Sequence, residues 1–300
     1  MSAPPVVAAA MSADGDIGAE SVTPGMMSAV SYGLVICPRM PWPVTSGAQK
    51  RTLRLLEAMQ SAGVMPHLLT FDGDPDGGAA ALEERGWAVD ALSPRRPTLE
   101  QRVRQQVARR PSPVVPAVRA RLEALRPSPP AFVQVEHAMA AYYRSSHPSP
   151  RSVLSLHNVD SELLRSTARE RRPLTREWLR DWNLVQAMRT VERREAPLAD
   201  AVLCVSDGDA EHLERLGATV LVVPNGVDDD FLAVPEALPP GEQVLFFGQL
   251  DYEPNRHGLG RLLRDLWPRL HAARPAARLR AVGPGMPPYV KLDDAFSHVR

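Results

Sequence analysis

The sequence predicts an α/β protein built on a doubly wound parallel sheet, and three observations predict it. Apolar runs of strand length recur at residues 33–37, 67–71, 132–135, 153–156, 201–205 and 220–223. Segments with helical spacing of apolar residues fall between several of them, at 48–62, 174–196 and 210–216. From residue 243 the alternation starts again, with a strand at 243–247, a helix at 259–273 and a strand at 278–282. Strands that alternate with helices form parallel sheets, because a parallel connection needs a crossover long enough to hold a helix.

The elements follow in order. Residues 1–30 are small, polar and acidic, and read as a disordered leader rather than a signal peptide. Leu34, Val35 and Ile36 make a first strand, stopped by Pro38. Leu53, Leu56 and Met59 lie at helical spacing in the helix that follows, which ends at Gly63. A strand from His67 to Phe71 completes a βαβ opening. Residues 93–130 are rich in Arg and Pro and predict weak, peripheral helices. Phe132, Val133 and Val135, then Val153, Leu154 and Leu156, supply two more strands. The helix over 174–196 carries Trp178, Trp182, Val185, Met188 and Val191 on roughly one face. Ser206 leaves the strand at 201–205 in position to cap the next helix, with Asp209 three residues on. Pro235, Pro239 and Pro240 mark 233–242 as a linker between an N-terminal domain at 31–232 and a second α/β unit at 243–300.

Composition excludes several function classes. The formal net charge is zero, so no global basic field exists to attract nucleic acid. Arginines near 169–172 and at Arg193 and Arg194 are interleaved with acids and read as solvated helix faces. The two cysteines, Cys37 and Cys204, each end an apolar run and lie in no zinc spacing. They read as buried free thiols, which points to a reducing cytoplasm. No stretch approaches the ~18–20 apolar residues that cross a bilayer.

Ligands of open parallel sheets bind outside the carboxyl ends of the strands, which selects the loops after Cys37, Val135, Leu156, Val205 and Phe247. In the first of these, Ser46 and Gly47 open a helix. A glycine there admits a phosphate to free N–H groups and a positive dipole, or it is simply a turn glycine. His157 follows a strand directly; it either orients a hydroxyl of the substrate or serves as a structural hydrogen-bonding residue. Glu136 and His137 end the preceding strand in the same way, facing the same crevice. The triplets Asp72-Gly73-Asp74 and Asp207-Gly208-Asp209 invite a metal reading, but a helix first turn and a glycine-rich loop explain them without one. Gly248 and Gly283 are strand-end glycines that admit a phosphate or let helices pack closely. Asn255, Arg256 and His257, at the next helix start, are of the right type to donate to a diphosphate.

Three segments in order carry a family resemblance. They are residues 192–206, a helix end followed by Asp200, an apolar strand and Ser206; residues 223–228, Val-Pro-Asn-Gly-Val-Asp; and residues 246–255, ending Pro254-Asn255, with Gly283 and Gly285 following. From about Gly33 to Arg300 the chain resembles the GT-B glycosyltransferases of the family 4 type. The Pro254-Asn255 variant resembles bacterial transferases that build exopolysaccharide or other cell-envelope glycans. The resemblance implies a complete N-terminal Rossmann-like domain and the beginning of a second Rossmann-like domain. It implies sugar transfer from a nucleotide diphosphate sugar to a glycan or lipid-linked acceptor, with retention, without an essential metal or other cofactor. It places His157 at the reacting centre; Gly47, Gly248, Gln249, Asn255, Arg256, His257 and Gly283 at the donor; and Trp42, Ser46, Glu136, His137 and Asn158 on the acceptor side. It also implies a cytoplasmic location, with peripheral association at the inner membrane as a further expectation.

Two departures accompany the resemblance. Gln249 stands where the family usually has Arg after the glycine, and Asn255, Arg256 or His257 occupies the position of a Lys. The paired-glutamate motif of the family lies further on than Arg300, so the second domain is expected to be partial. The alternative reading is therefore a non-catalytic remnant that acts as a binding module through its first domain.

Overall fold

The computed structural model describes residues 31–74, 76–93, 116–147, 149, 151–170, 173–233, 242–250 and 252–285. The predicted leader and most of the predicted linker lie outside the described residues. The chain divides into two compact units between Gly226 and Val227.

The first unit is a seven-stranded parallel sheet with the order β3-β2-β1-β4-β5-β6-β7. The strands are β1 (Tyr32–Cys37), β2 (Met65–Thr70), β3 (Ala88–Ala91), β4 (Phe132–Glu136), β5 (Ser152–Ser155), β6 (Ala201–Cys204) and β7 (Val220–Val222). The order reverses between β1 and β4, whose registers pair Gly33 with Phe132 and Ile36 with Val135. That reversal is the switch point at which doubly wound sheets open a crevice. Alternation along β1 sends Leu34 and Ile36 into one core and Val35 and Cys37 into the other. Both faces of the strand are thus covered, as parallel sheets require.

Helices α1 (Gly47–Ser61) and α2 (Gly78–Glu83) cover one face, the first through Leu53, Leu56 and Met59. The other face is covered by α3 (Pro116–Leu125), a 3₁₀ helix (Ala138–Ser146), α5 (Arg176–Glu195) and α6 (Asp207–Glu214). Helix α4 (Asp160–Glu170) packs against α5. Helix α3 lies in the region expected to be peripheral, yet it buries Val118 and Leu122 completely. The edge strand β3 and helices α2 and α4 were not expected from the sequence.

Helix α7 (Asp229–Leu232) lies at the start of the second unit, just before the predicted linker. Strands β8 (Gln243–Phe247) and β9 (Arg278–Val282) pair in parallel. One continuous helical run joins them: α8 (Glu253–Arg261), a π-helical turn (Leu262–Leu266) and α9 (Trp267–Ala273). It covers one face of the pair through Leu259, Leu262 and Trp267, which pack with Leu279 and Ala281 of β9. On the opposite face Leu245 is 60% exposed and Phe247 74% exposed. A two-stranded ladder with one bare face opens easily. Amides of β8 and β9 are therefore expected to exchange hydrogen faster than those of β1 and β4, which mass spectrometry of peptic fragments measures; equal protection would contradict this.

Candidate active site

The carboxyl edge of the first unit brings together three residues that the sequence singled out. Glu136, the last residue of β4, is 0% exposed. Its carboxylate accepts hydrogen bonds from Gln134 Nε2 at 2.6 Å and from Thr52 Oγ1 on α1 at 3.3 Å. It also lies 2.8 Å from Nε2 of His157, just past β5. An ionised carboxylate only accepts, so Nε2 carries the hydrogen, and the neutral form of the ring has its lone pair on Nδ1. Burial pushes the Glu136 carboxyl up, but hydrogen bonding to His157, the nearness of the two imidazoles and hydrogen bonding to Gln134 together hold it below its usual value. The charge therefore persists, and with it the tautomer of His157.

His137 stacks on His157 with ring centroids 4.1 Å apart and planes tilted by 29°. Its backbone has φ 68° and ψ 142°, a conformation that side-chain-bearing residues rarely adopt. Burial and then repulsion from His157 push its pKa down to about 4, so it is neutral at pH 7. Asn158 is exposed one residue beyond. The arrangement is a carboxylate–imidazole pair roofed by a neutral ring. It can orient a hydroxyl through Nδ1 and stabilise positive charge beside the buried carboxylate.

The N-terminus of α1 opens at the same edge. Ser46 caps it, its Oγ accepting from the amide of Gln49 at 3.3 Å. Gln49 folds back to accept from the Thr45 amide and hydroxyl, and its own amide donates to Met40 O at 2.9 Å. This staples the loop at 40–46 in front of the helix. A Cβ added at Gly47 would meet nothing within 4 Å, so the helix start is open to a ligand. Trp42 is half-buried against the α1–α2 side of the core, with the Arg85 guanidinium 5.4 Å from its ring centre.

Sequence reasoning missed Arg51, four residues after Gly47 on the same helix face. It is 8% exposed and donates through Nη1 to Val223 O at 2.7 Å and Asn225 Oδ1 at 3.1 Å. The helix spacing from Gly47 was the available signal. This contact gives the Val-Pro-Asn-Gly segment a role in the first unit: it anchors α1 to the end of β7.

Behind His157, the buried Glu192 of α5 accepts from the amide and hydroxyl of Ser161, tying it to the first turn of α4. Asp160 lies beside it, and burial together with the Glu192 charge raises its pKa to about 6. His137 and Asp160 make opposite pH slopes. The unfolded chain takes up a proton at His137 near pH 6.5 and the folded chain not until about 4, so this group lowers stability as pH falls through that window. Folded Asp160 holds its proton up to about pH 6, against 3.8 unfolded, so it lowers stability as pH rises through that window. The slopes oppose each other between about pH 4 and 6, each at most ~1.4 kcal/mol per pH unit. Denaturant melts are expected to show stability falling with pH in Asp160→Asn on acidification, and falling on alkalinisation in His137→Asn. Identical slopes in both variants would contradict these assignments.

The acidic triplets have structural work. Asp72 accepts from the Met40 amide at 3.2 Å, and Asp74 accepts from the amides of Gly78 and Ala79 at the start of α2. Asp209 lies in the first turn of α6, its amide donating to the Ser206 cap. Among the described residues no three His, Cys, Asp or Glu side chains converge as metal ligands. Cys37 and Cys204 are free and buried.

In the second unit, Gly248 and Gly283 end adjacent strands with φ of 149° and 146°. A Cβ on Gly283 would lie 1.7 Å from Gly248 O, so only glycine lets the two strand ends pass. Asn255 Nδ2 donates to Gln249 O at 2.9 Å and so holds the turn to the start of α8. Gln249, Arg256 and His257 are exposed around it.

No curated protein matches the chain significantly. Among solved structures, the S. aureus MnaA–UDP co-structure is 13% identical, with a TM-score of 0.48 over 90% of this chain and 68% of that one. The glycotransferase of kitacinnamycin is also 13% identical, with the same score over 90% of this chain and 70% of that one. A UDP-glucose:anthocyanidin 3-O-glucosyltransferase in complex with UDP is 10% identical at 0.48, over 90% and 71%. These scores are too low for the likeness to carry inference. The model of Glycosyltransferase Family 4, however, matches residues 45–231, more than half of the chain and most of the sheet that holds Glu136 and His157. The chain belongs to glycosyltransferase family 4.

Proposed function

We propose that the protein transfers a sugar from a nucleotide diphosphate sugar to a glycan or lipid-linked acceptor, with retention and without a metal. The observation that carries this reading is the Glu136–His157 pair at the carboxyl edge, on the same edge as the open N-terminus of α1. Nδ1 of His157 accepts a hydrogen bond from a hydroxyl of the bound sugar or acceptor, and Glu136 keeps the ring turned for it. His137, neutral and stacked, shields the pair from water; Trp42, Ser46 and Asn158 border the acceptor side.

Departure of the nucleoside diphosphate is the demanding step, because a further negative charge develops on the leaving group. Preorganised N–H donors and dipoles stabilise such charge without reorganising. The α1 N-terminus at Ser46 and Gly47 provides them on the first unit. The glycine turn at Gly248 and Gly283 of the second unit, with Gln249, Asn255, Arg256 and His257, carries donors of the type that bind a diphosphate. The acceptor hydroxyl then attacks on the face the diphosphate leaves, forming the new C–O bond and giving its proton to the departing phosphate oxygen. The Pro254-Asn255 variant supports an acceptor in exopolysaccharide or other cell-envelope glycans.

The test is a panel of nucleotide diphosphate sugars incubated with the protein in EDTA, with nucleoside diphosphate release followed by chromatography. One donor is expected to be consumed, faster when a glycan or lipid-linked acceptor is added. Glycan binding without turnover of any donor would favour the binding-module reading instead.

A further inference from the structure

The α4–α5 hairpin projects from the same edge as His157. Helix α4 begins at Asp160, three residues past His157, and its 11 residues extend ~16 Å at 1.5 Å each. Helix α5 returns antiparallel to it: Glu192 meets Ser161, and Arg189 reaches Glu162 at 3.6 Å. The α5 residues from 176 to 192 therefore run beside α4, beyond the carboxyl end of β5. Its second half, from Leu184 through Met188 and Val191, joins the core over the sheet.

The far end of this hairpin has an unusual surface. Leu174 is 81% exposed at φ 64°, and Leu179 is 46% exposed. Trp178 and Trp182 were expected on the buried face with Val185 and Met188. Instead they are half-buried and stacked on each other, centroids 5.6 Å apart and nearly parallel. Residues 165–180 contain six Arg and two Glu, in a chain whose net charge is zero. The Arg180 side chain is 71% exposed. Exposed leucines, amphipathic tryptophans and arginines on one short stretch make the pattern of a segment that sits at a lipid headgroup layer. Tryptophan favours that interface, leucine enters the acyl boundary, and arginine is attracted to an anionic surface.

We propose that the tip of the α4–α5 hairpin docks the protein on an anionic lipid bilayer, with Leu174, Trp178, Leu179 and Trp182 in the interface and Arg176 and Arg180 on the headgroups. This rests on the proposed transfer to a lipid-linked acceptor and adds the means of reaching it. A surface held ~16 Å from the level of His157 brings a membrane-anchored headgroup to the reacting edge.

The experiment is co-sedimentation of the full chain with vesicles of phosphatidylglycerol and phosphatidylcholine, or phosphatidylcholine alone, at low and high salt. Binding is expected on the anionic vesicles, weakened by salt, with a blue shift of tryptophan emission. Leu174→Glu with Leu179→Glu, and separately Arg176→Gln with Arg180→Gln, are each expected to reduce partitioning ~10-fold or more. Both should leave circular dichroism and turnover with a soluble acceptor unchanged. No binding to anionic vesicles, or binding indifferent to both double variants, overturns the proposal. So does a concentration-dependent dimer that the leucine variants abolish in the absence of lipid, which would make a second copy the occupant. Turnover without vesicle binding removes this inference alone; vesicle binding without turnover of any donor removes the transferase reading and leaves the docking surface.

Discussion

Replacing His157 with alanine is expected to lower kcat ~100-fold or more while donor KM changes by less than about threefold. The residue is placed to act on a hydroxyl as charge develops, so its loss should appear in the chemical step rather than in donor binding. Glu136→Gln is the sharper companion. It preserves shape and the contacts with Thr52 and Gln134, yet removes the charge that fixes Nε2–H on His157. A drop of ~10–100-fold in kcat is expected, because the wrong tautomer presents N–H where an acceptor is needed. Nitrogen NMR of the imidazole should show Nε2–H in the wild type and a mixture of tautomers in the variant. Full activity in His157→Ala would remove this residue from the mechanism.

The second large effect belongs to a residue far from the chemistry. In Gly78→Ala the new Cβ would lie 1.9 Å from the carbonyl oxygen of Trp42 and 3.0 Å from Met40 Cγ. Backbone cannot swing aside as a side chain can, so the loop at 40–46 must move. That loop is held by Asp72 on the Met40 amide and by Gln49 on the Met40 carbonyl, and it ends at the Ser46 cap of α1. A loss of ~2–4 kcal/mol in denaturant melts is expected, since overpacking against fixed backbone costs this much. Donor KM should rise with it. Gly47→Ala separates the two effects: with open space around it and alanine favoured in helices, stability should hold or improve. A raised donor KM in that variant supports the phosphate role of Gly47, whereas unchanged kinetics would leave it a turn glycine.

The sheet was legible in the sequence because strands buried on both faces are short, continuous apolar runs, and 33–37, 132–135 and 153–156 are of that kind. Strand β3 was not, because Ala88–Ala91 is a short edge strand with an exposed and half-buried pattern. Helix α4 was missed since its sequence is mostly polar and it packs on another helix rather than on the sheet. Glu136, His137 and His157 were legible as polar residues where buried strands end. The charges behind them were not. Arg51 and Glu192 sit inside helices of ordinary polar composition, and only the fold reveals that one reaches Val223 and the other caps the start of α4. The arginines at 169–172 read as solvated because the sequence shows the acid among them but not the direction of the hairpin.

The most direct measurement is the anomeric configuration of the product, followed by proton NMR from the first turnover in the presence of EDTA. Transfer at the Glu136–His157 edge as proposed predicts a glycoside with the configuration of the donor, formed one for one with nucleoside diphosphate and lost in His157→Ala. An inverted product, or transfer that begins only when a divalent cation is added, would contradict it.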